Sequence, residues 1–194
     1  MRISLIGSGR VATHLAHVLS RKHQLVQIYS RQLSHAEQLA GQVQAQAIDQ
    51  YQQLDVTINL MIIAVSDQAI ATVIEQLATY LKDTLIVHTS GSTSLEVLTQ
   101  YYPKSGVFYP LQSFSLAREI NWADTPLFIE AVEEDDLSLL TELANSLSHR
   151  VYQYSSEQRL SLHLAAVFAA NFSNYCYDMA KQIVDAKQVD FSLL

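Results

Sequence analysis

The stretch ISLIGSGRVATHLAHVL, from Ile3 to Leu19, decides the fold of this chain. Its first part, Ile3–Ile6, is a short apolar run that predicts a buried strand ending at Gly7. After Gly9 the apolar residues recur at the spacing of a helix, at Val11, Leu15, Val18 and Leu19. The two glycines therefore lie in a tight turn that joins a strand directly to a helix.

The turn has the pattern G-x-G-x-x-A, from Gly7 to Ala12. In such a turn the first glycine permits the sharp bend and the second lets backbone N–H groups approach a pyrophosphate, while the small last residue lets the helix pack close to the strand. The helix N-terminus adds unpaired N–H groups and partial positive charge. The motif predicts a dinucleotide site at Gly7, Ser8, Gly9, Arg10 and Val11. The alternative is an ordinary glycine-rich turn without a ligand.

The second strand, predicted over residues 24–30, distinguishes between the two nicotinamide dinucleotides. A site for NAD usually ends this strand with Asp or Glu, which bonds the ribose 2′-hydroxyl. Here the strand ends in Tyr29-Ser30-Arg31, without an acid. Arg31 can pair bidentately with a 2′-phosphate, and Ser30 can donate to it. We therefore predict NADP(H) rather than NAD(H), the alternative being that Arg31 is an ordinary solvated residue.

Strand and helix patterns alternate along the next hundred residues at the spacing of βαβ units. The run TINLMIIAV, residues 57–65, is typical of a central parallel strand, and Ser34 and Gly41 are expected near the ends of the second helix. From Ser156 onward a long segment without glycine or proline predicts one long helix. The predicted fold is an α/β, doubly wound and mostly parallel Rossmann sheet, residues 1–154, followed at 155–194 by the long helix of an incomplete all-α second domain.

Two further strand ends are expected at the cofactor, because ligands collect outside the carboxyl ends of parallel strands. Val65, Ser66 and Asp67 follow one of these strands, and Thr89 and Ser90 follow the other. Their hydroxyl and N–H groups are predicted on the nicotinamide side. As an alternative, Ser66 or Asp67 caps the following helix and Ser90 belongs to a turn; both roles can hold together.

The composition restricts the possible partners of the protein. The chain has 194 residues, 16% of them charged, a net charge of −7 and no basic block, which argues against nucleic acid as a partner. The single cysteine and the scattered histidines predict neither a disulfide framework nor a metal site. The most apolar run, residues 58–65, is too short to cross a bilayer. With no signal-peptide pattern at Met1, a cytoplasmic protein is expected.

Three later stretches carry a family resemblance: VHTSGS (87–92), FYPLQSFS (108–115) and SLHLAAVFAANFSNY (161–175). Together with the glycine turn they resemble the NADP oxidoreductases of the Rossmann-like family that is related to deazaflavin-dependent NADP reductases. The layout is more distantly similar to that of pyrroline-5-carboxylate reductases and 6-phosphogluconate dehydrogenases. The resemblance implies an N-terminal dinucleotide-binding domain and a C-terminal helical domain that often mediates dimerisation. It implies a cofactor class more than a reaction.

Hydride transfer requires a proton source or sink near the reacting carbon. The candidate catalytic residues form three groups: His88 at a strand end; Tyr109 and Gln112 beside Pro110; and His163 and Asn171 on the long helix. Helical spacing places Asn174 and Asp178 on the same line as His163 and Asn171. For His88, His163 and Asn171 a purely structural hydrogen bond is an equal alternative.

We predict an NADP(H)-dependent oxidoreductase acting on a small-molecule substrate, with a second copy covering the apolar face of the long helix in a homodimer. That face carries Leu160, Leu164, Phe168, Phe172, Cys176, Met179 and Ile183. One alternative is a non-catalytic NADP-binding sensing or assembly module. Another is a Rossmann turn that binds a different adenine nucleotide.

Overall fold

The computed structural model describes residues 1–194 and contains one eight-stranded sheet. The strands β1–β8 are Arg2–Ile6, Gln24–Tyr29, Gln46–Ile48, Leu60–Ile63, Leu85–His88, Ser105–Pro110, Leu127–Ala131 and Val151–Gln153. The helices α1–α7 are Arg10–Leu19, Leu33–Val43, Asp67–Tyr80, Glu96–Thr99, Glu134–Asn145, Ser156–Ala166 and Ser173–Asp185. Short 3₁₀ turns lie at Tyr51–Gln53, Trp122–Asp124 and Phe191–Leu193.

The strand order is β3-β2-β1-β4-β5-β6-β7-β8, and the first six strands are parallel to one another. Their 3-2-1-4-5-6 order is that of dinucleotide-binding α/β folds. The last two strands, β7 and β8, run in the opposite direction: β7 pairs antiparallel with β6, and β8 pairs parallel with β7. The predicted doubly wound, mostly parallel Rossmann sheet is thus confirmed, and the carboxyl ends of β1, β2, β4, β5 and β6 share one edge.

Apolar side chains cover both faces of the sheet, which explains why its central strands read as continuous apolar runs. One buried cluster joins the sheet to α1, α2 and α5 through residues such as Leu15, Leu39 and Leu143. The other joins it to α3 and α4 through Ile74 and Leu98. The packing holds the shared edge of strand ends rigid.

Helix α2 begins at Leu33 rather than at a Ser34 cap and continues beyond Gly41 to Val43. The expected ends were wrong because packing overrides the local signals. Val43 is buried in the core, and the helix ends only where Gln44 takes a left-handed conformation with φ of 56°.

The predicted long helix is present from Ser156 to Asp185, but it is not uniformly α-helical. Residues Val167–Phe172 form a π-helical segment between α6 and α7. A π turn contains one extra residue and therefore rotates the helix beyond it. No helix of the protein is both long enough and apolar enough to span a membrane.

Candidate functional site

A cavity of about 910 Å³ lies at the carboxyl ends of β1, β2 and β4. Nine of the predicted cofactor residues line it: Gly7, Ser8, Gly9, Arg10, Val11, Ser30, Arg31, Val65 and Ser66. Sequence reasoning missed other lining residues, among them Tyr29, His35, Tyr51, Ala69, Thr72 and Val73. The cavity is within the usual size range of ligand pockets, roughly 300–1,000 Å³.

The two glycines of the turn serve different purposes. Gly7 has a φ of +121°, and a Cβ there would lie 2.3 Å from the carbonyl oxygen of Ala64. The first glycine is therefore required by the protein's own backbone. A Cβ on Gly9, by contrast, would meet no protein atom within 4 Å. Gly9 lines the cavity, so the space left by its missing side chain belongs to whatever the cavity holds.

Helix α1 begins at this turn with an uncapped N-terminus. Gly9 is the N-cap residue and provides no side-chain hydrogen bond, and no acidic side chain lies in the first turn. The first N–H groups of a helix have no partner within it, and they carry partial positive charge. Arg10, which also lines the cavity, adds a full positive charge. This end of the cavity is suited to an anion.

Another part of the cavity wall is formed by the loop after β2 and the first turn of α2. Ser30, Arg31 and His35 line the cavity there, and the Ser8 hydroxyl donates to Ser30 Oγ at 3.3 Å. That hydrogen bond joins the glycine turn to the arginine loop. His35 lies in the first turn of α2, whereas Arg31 precedes the helix, so no helical spacing relates the two residues in the sequence.

Aromatic residues form a further part of the cavity wall. The Tyr29 and Tyr51 rings stack with centroids 4.5 Å apart and an interplanar angle of 14°. Burial, together with a hydrogen bond to Tyr29, raises the pKa of the Tyr51 hydroxyl above its ordinary value, so Tyr51 remains a neutral phenol. Tyr51 lies in a 3₁₀ turn after β3, and no sequence pattern marks it.

A second cavity, of about 290 Å³, lies where β6 ends beside the long helix. Four of the five predicted catalytic residues line it: Tyr109, Gln112, His163 and Asn171. The Tyr109 hydroxyl is 2.8 Å from His163 Nδ1, and the two rings meet edge to face. Asn174 does not line this cavity, because the π-helical segment turns the rest of the helix away from the predicted line.

Gly91 lies directly against the Tyr109–His163 pair. A Cβ at position 91 would be 2.5 Å from His163 Nδ1 and 2.6 Å from Tyr109 Cζ. The loop after β5 must therefore carry glycine here for the pair to form. Burial raises the pKa of Tyr109 to about 12, with a smaller opposing effect from Arg159.

The structure does not bring His88 into either of these cavities. His88 is fully buried, and its Nδ1 accepts the Ser90 N–H at 3.1 Å. Burial, together with the positive charge of Arg159, lowers the pKa of His88 to about 3. His88 is therefore a neutral residue that holds the following loop in place.

Asp67, Thr89 and Ser90 also lie outside both cavities. The Asp67 carboxylate accepts a short hydrogen bond from the Ser92 hydroxyl. The Thr89 hydroxyl donates to the Ile63 carbonyl at 3.4 Å, and Ser90 Oγ accepts the N–H of Ser92 at 3.1 Å. These polar groups take part in the hydrogen bonds of the loops between strand ends, and none of the three residues lines the first cavity.

A buried ion pair that sequence reasoning missed fixes the long helix to the sheet. Arg159 on α6 is 1% exposed and bonds the carboxylate of Glu130 on β7 and the backbone carbonyl of Thr93. The same carboxylate accepts from the N–H and hydroxyl of Ser156. One arginine thus holds the sheet, the loop after β5 and the helix that carries His163.

Residues 1–111 match the Rossmann-like domain, and residues 125–194 match a domain of unknown function, DUF2520. The first match covers more than half of the chain. This protein belongs to the Rossmann-like family. The family resemblance inferred from the glycine turn and the three later stretches is therefore confirmed.

Solved structures include close relatives of this Rossmann-like protein. A Bacteroides fragilis protein described as a "putative NADP oxidoreductase" is 39% identical, with a TM-score of 0.90 over 99% of this chain and 75% of its own. A Thermotoga maritima protein is 25% identical, with a TM-score of 0.74 over 97% of this chain and 71% of its own. An imine reductase from Myxococcus stipitatus, in complex with NADP+, shares the fold at 13% identity and a TM-score of 0.79, over 99% of this chain and 68% of its own. No curated protein matches the sequence.

Proposed function

We propose that this protein is an NADP(H)-dependent oxidoreductase that transfers a hydride to or from a small molecule. The observation that carries this proposal is the first cavity. One part of its wall is an uncapped helix N-terminus at Gly9, and another part carries Ser30, Arg31 and His35. A dinucleotide with an additional phosphate needs anion sites at two separate points, and this cavity provides both.

The residues of the cavity fit such a cofactor. The diphosphate would bind the N–H groups of α1, where Gly9 leaves a Cβ-sized space unfilled. The 2′-phosphate would bind Arg31 with Ser30, and β2 ends without the acid that would repel it. When bound, the cofactor supplies the hydride. The name of the 39% identical relative, an NADP oxidoreductase, supports this cofactor and reaction class.

The test is a comparison of dissociation constants for NADPH and NADH, measured by titration calorimetry on the wild type and on Arg31→Ala. We expect the wild type to prefer NADPH. Loss of charged hydrogen bonds, each worth about 1.5–3 kcal/mol, predicts that the substitution weakens NADPH binding roughly 10- to 100-fold and leaves NADH binding nearly unchanged. Arg21→Ala is the matched control, because Arg21 is exposed and lies outside the cavity. Equal affinity of the wild type for the two dinucleotides would contradict the proposal.

We further propose that residues 155–194 form a helical domain that pairs two copies of the chain, the first domain being residues 1–154. The support is the exposure of large apolar side chains along the long helix: Leu160, Leu164, Phe168, Phe172 and Ile183 are each 46–68% exposed. Apolar surface that stays exposed to water forgoes a stabilising free energy of about 25 cal/mol per Å². A second copy of the same face would cover it.

Light scattering at micromolar concentration tests this pairing. We expect a dimer for the wild type and a monomer for the double variant Phe168→Glu, Phe172→Glu. Leu116→Glu is the matched control, since Leu116 is 67% exposed and belongs to the loop after β6 rather than to the helix. A monomeric wild type at these concentrations would refute the pairing.

A further inference from the structure

The contact between Tyr109 and His163 joins two parts of the chain that are 54 residues apart. Tyr109 is the second-last residue of β6 and is 8% exposed, whereas His163 is half-buried on α6 and lines the second cavity. Gly91 packs directly against both rings. Both rings are therefore held in fixed positions at the edge where the strands of the proposed cofactor site end.

The hydrogen bond determines which nitrogen of His163 carries the proton. The Tyr109 hydroxyl must donate to an acceptor when buried, and His163 Nδ1 is its hydrogen-bond partner. In the neutral imidazole Nδ1 therefore accepts, and the proton is on Nε2. In the imidazolium form Nδ1–H donates to the same oxygen. The phenol can reverse its role, so the pair remains bonded in both protonation states of the histidine.

His163 Nε2 has no hydrogen bond within the protein, although the ring lines a cavity that also contains the amides of Gln112 and Asn171. The π-helical segment Val167–Phe172 lies along the same cavity and contributes Val167, Ala170 and Asn171 to its wall. Such π segments occur frequently at functional sites. A proton donor must present an oriented N–H group to the bound molecule. The Nε2–H group of His163, at a cavity that also contains the amides of Gln112 and Asn171, meets this requirement.

Resting on the proposed function, we propose that His163 is the catalytic proton donor of the reduction and that Tyr109 is the residue that positions it. The substrate is then a small carbonyl or imine compound. The hydride adds to the carbon of the C=O or C=N bond, and the π electron pair moves to the heteroatom. That heteroatom takes the proton from Nε2 of the His163 imidazolium. The products are the alcohol or amine, the oxidised cofactor and a neutral His163, which regains a proton from solvent.

The charged groups around the pair are few and fixed. Arg159 lies one turn before His163 on the same helix and is neutralised by Glu130. Asp67, at the start of α3, is hydrogen-bonded to Ser92, and His88 is buried in its neutral form. None of these groups makes a hydrogen bond to the His163 ring, so Tyr109 is the polar side chain that controls its orientation.

The first experiment separates cofactor binding from turnover. NADPH dissociation constants and NADPH oxidation with cyclohexanone, 2,3-butanedione and 1-pyrroline are measured for the wild type, His163→Asn, Tyr109→Phe and the control His149→Asn, whose parent residue is exposed. We expect all four proteins to bind NADPH alike. Loss of the proton donor predicts a fall in kcat of roughly 10²- to 10⁴-fold for His163→Asn, and no change for the control.

The pH profile distinguishes positioning from a merely structural role. A donor that must be protonated makes kcat fall as pH rises through the pKa of that donor. We expect this fall in kcat at high pH in the wild type. In Tyr109→Phe it should occur at a different pH, with little change in KM, and in His163→Asn it should be absent. An unchanged fall in kcat in both variants, or full activity of His163→Asn, would overturn the assignment.

The second experiment needs no substrate. The ¹⁵N chemical shifts of the His163 ring, identified by comparison with His163→Asn, report the neutral tautomer. We expect Nε2–H in the wild type and a mixture of tautomers in Tyr109→Phe. A wild-type ring protonated on Nδ1 would overturn the proposal even if no probe is turned over. Failure to bind NADPH would refute the proposed function. The tautomer measurement would still show whether Tyr109 determines which nitrogen of His163 carries the proton.

Discussion

The two glycines of the first turn allow the fold and the ligand to be tested separately. Gly7→Ala places a Cβ 2.3 Å from the Ala64 carbonyl oxygen at a φ of +121°, a conformation nearly closed to residues with side chains. Strained backbone of this kind costs about 1–3 kcal/mol, and the overlap with a backbone atom adds to it. For a chain of this length about 3 kcal/mol corresponds to a fall in Tm of roughly 6–12 °C.

Gly9→Ala is the matched substitution with the opposite expected result. Its Cβ meets no protein atom within 4 Å, so the free energy of unfolding should change by about 0.5 kcal/mol or less. The same methyl group fills the space proposed for the diphosphate. We therefore expect the affinity for NADPH to fall by at least tenfold, about 1.4 kcal/mol. NADPH at 100 times the Kd of the wild type stabilises the folded wild type by about 2.7 kcal/mol. At the same NADPH concentration, the stabilisation of Gly9→Ala would be smaller by half or more.

Thermal unfolding with and without NADPH measures both effects in one assay. Gly7→Ala should lower the Tm of the free protein, whereas Gly9→Ala should leave that Tm unchanged and lose half or more of the shift produced by NADPH. If Gly9→Ala retained the full shift, the diphosphate would not bind at this turn. If Gly7→Ala were as stable as the wild type, the reasoning from the Ala64 contact would be wrong.

The buried polar groups allow two more predictions. Burial lowers the pKa of His88 to about 3, whereas the same side chain in the unfolded protein has a pKa of about 6.5. Between these two pH values the unfolded state binds a proton that the folded state does not bind. The free energy of unfolding therefore decreases as the pH falls from about 6.5 to about 3. Between pH 7 and pH 5 this loss is about 2 kcal/mol, and urea unfolding at the two pH values should show it in the wild type and not in His88→Asn. Glu130→Gln leaves Arg159 buried without a counter-charge, so it should cost about 3 kcal/mol of unfolding free energy. Asp185→Asn breaks an exposed pair with Lys181 and should cost about 0.5 kcal/mol or less by the same assay; equal losses in the two variants would contradict the role given to burial.

The parts of the fold that could be predicted are those governed by local rules. A strand that ends at Gly7 and a helix that starts just after Gly9 follow from apolar spacing alone, and the cofactor residues follow from that turn. His35 and Tyr51 could not be placed in the same way. They reach the cavity only because β2 and β3 pair with the sheet in a particular register, which brings the start of α2 and the turn after β3 to the same wall.

The position of the long helix shows why the second cavity could be predicted only in part. Helical spacing put His163 and Asn171 on one line, and the end of β6 marked Tyr109, so each half of the cavity had its own local signal. Their meeting depends on where α6 crosses the sheet, and that crossing is fixed by Arg159, which a sequence pattern would assign to the surface. The extra residue of the π turn then keeps Asn171 at the cavity and rotates Asn174 away. The pairing of Tyr109 with His163 is therefore a tertiary property, set by one buried ion pair and by the glycine at position 91 that leaves room for both rings.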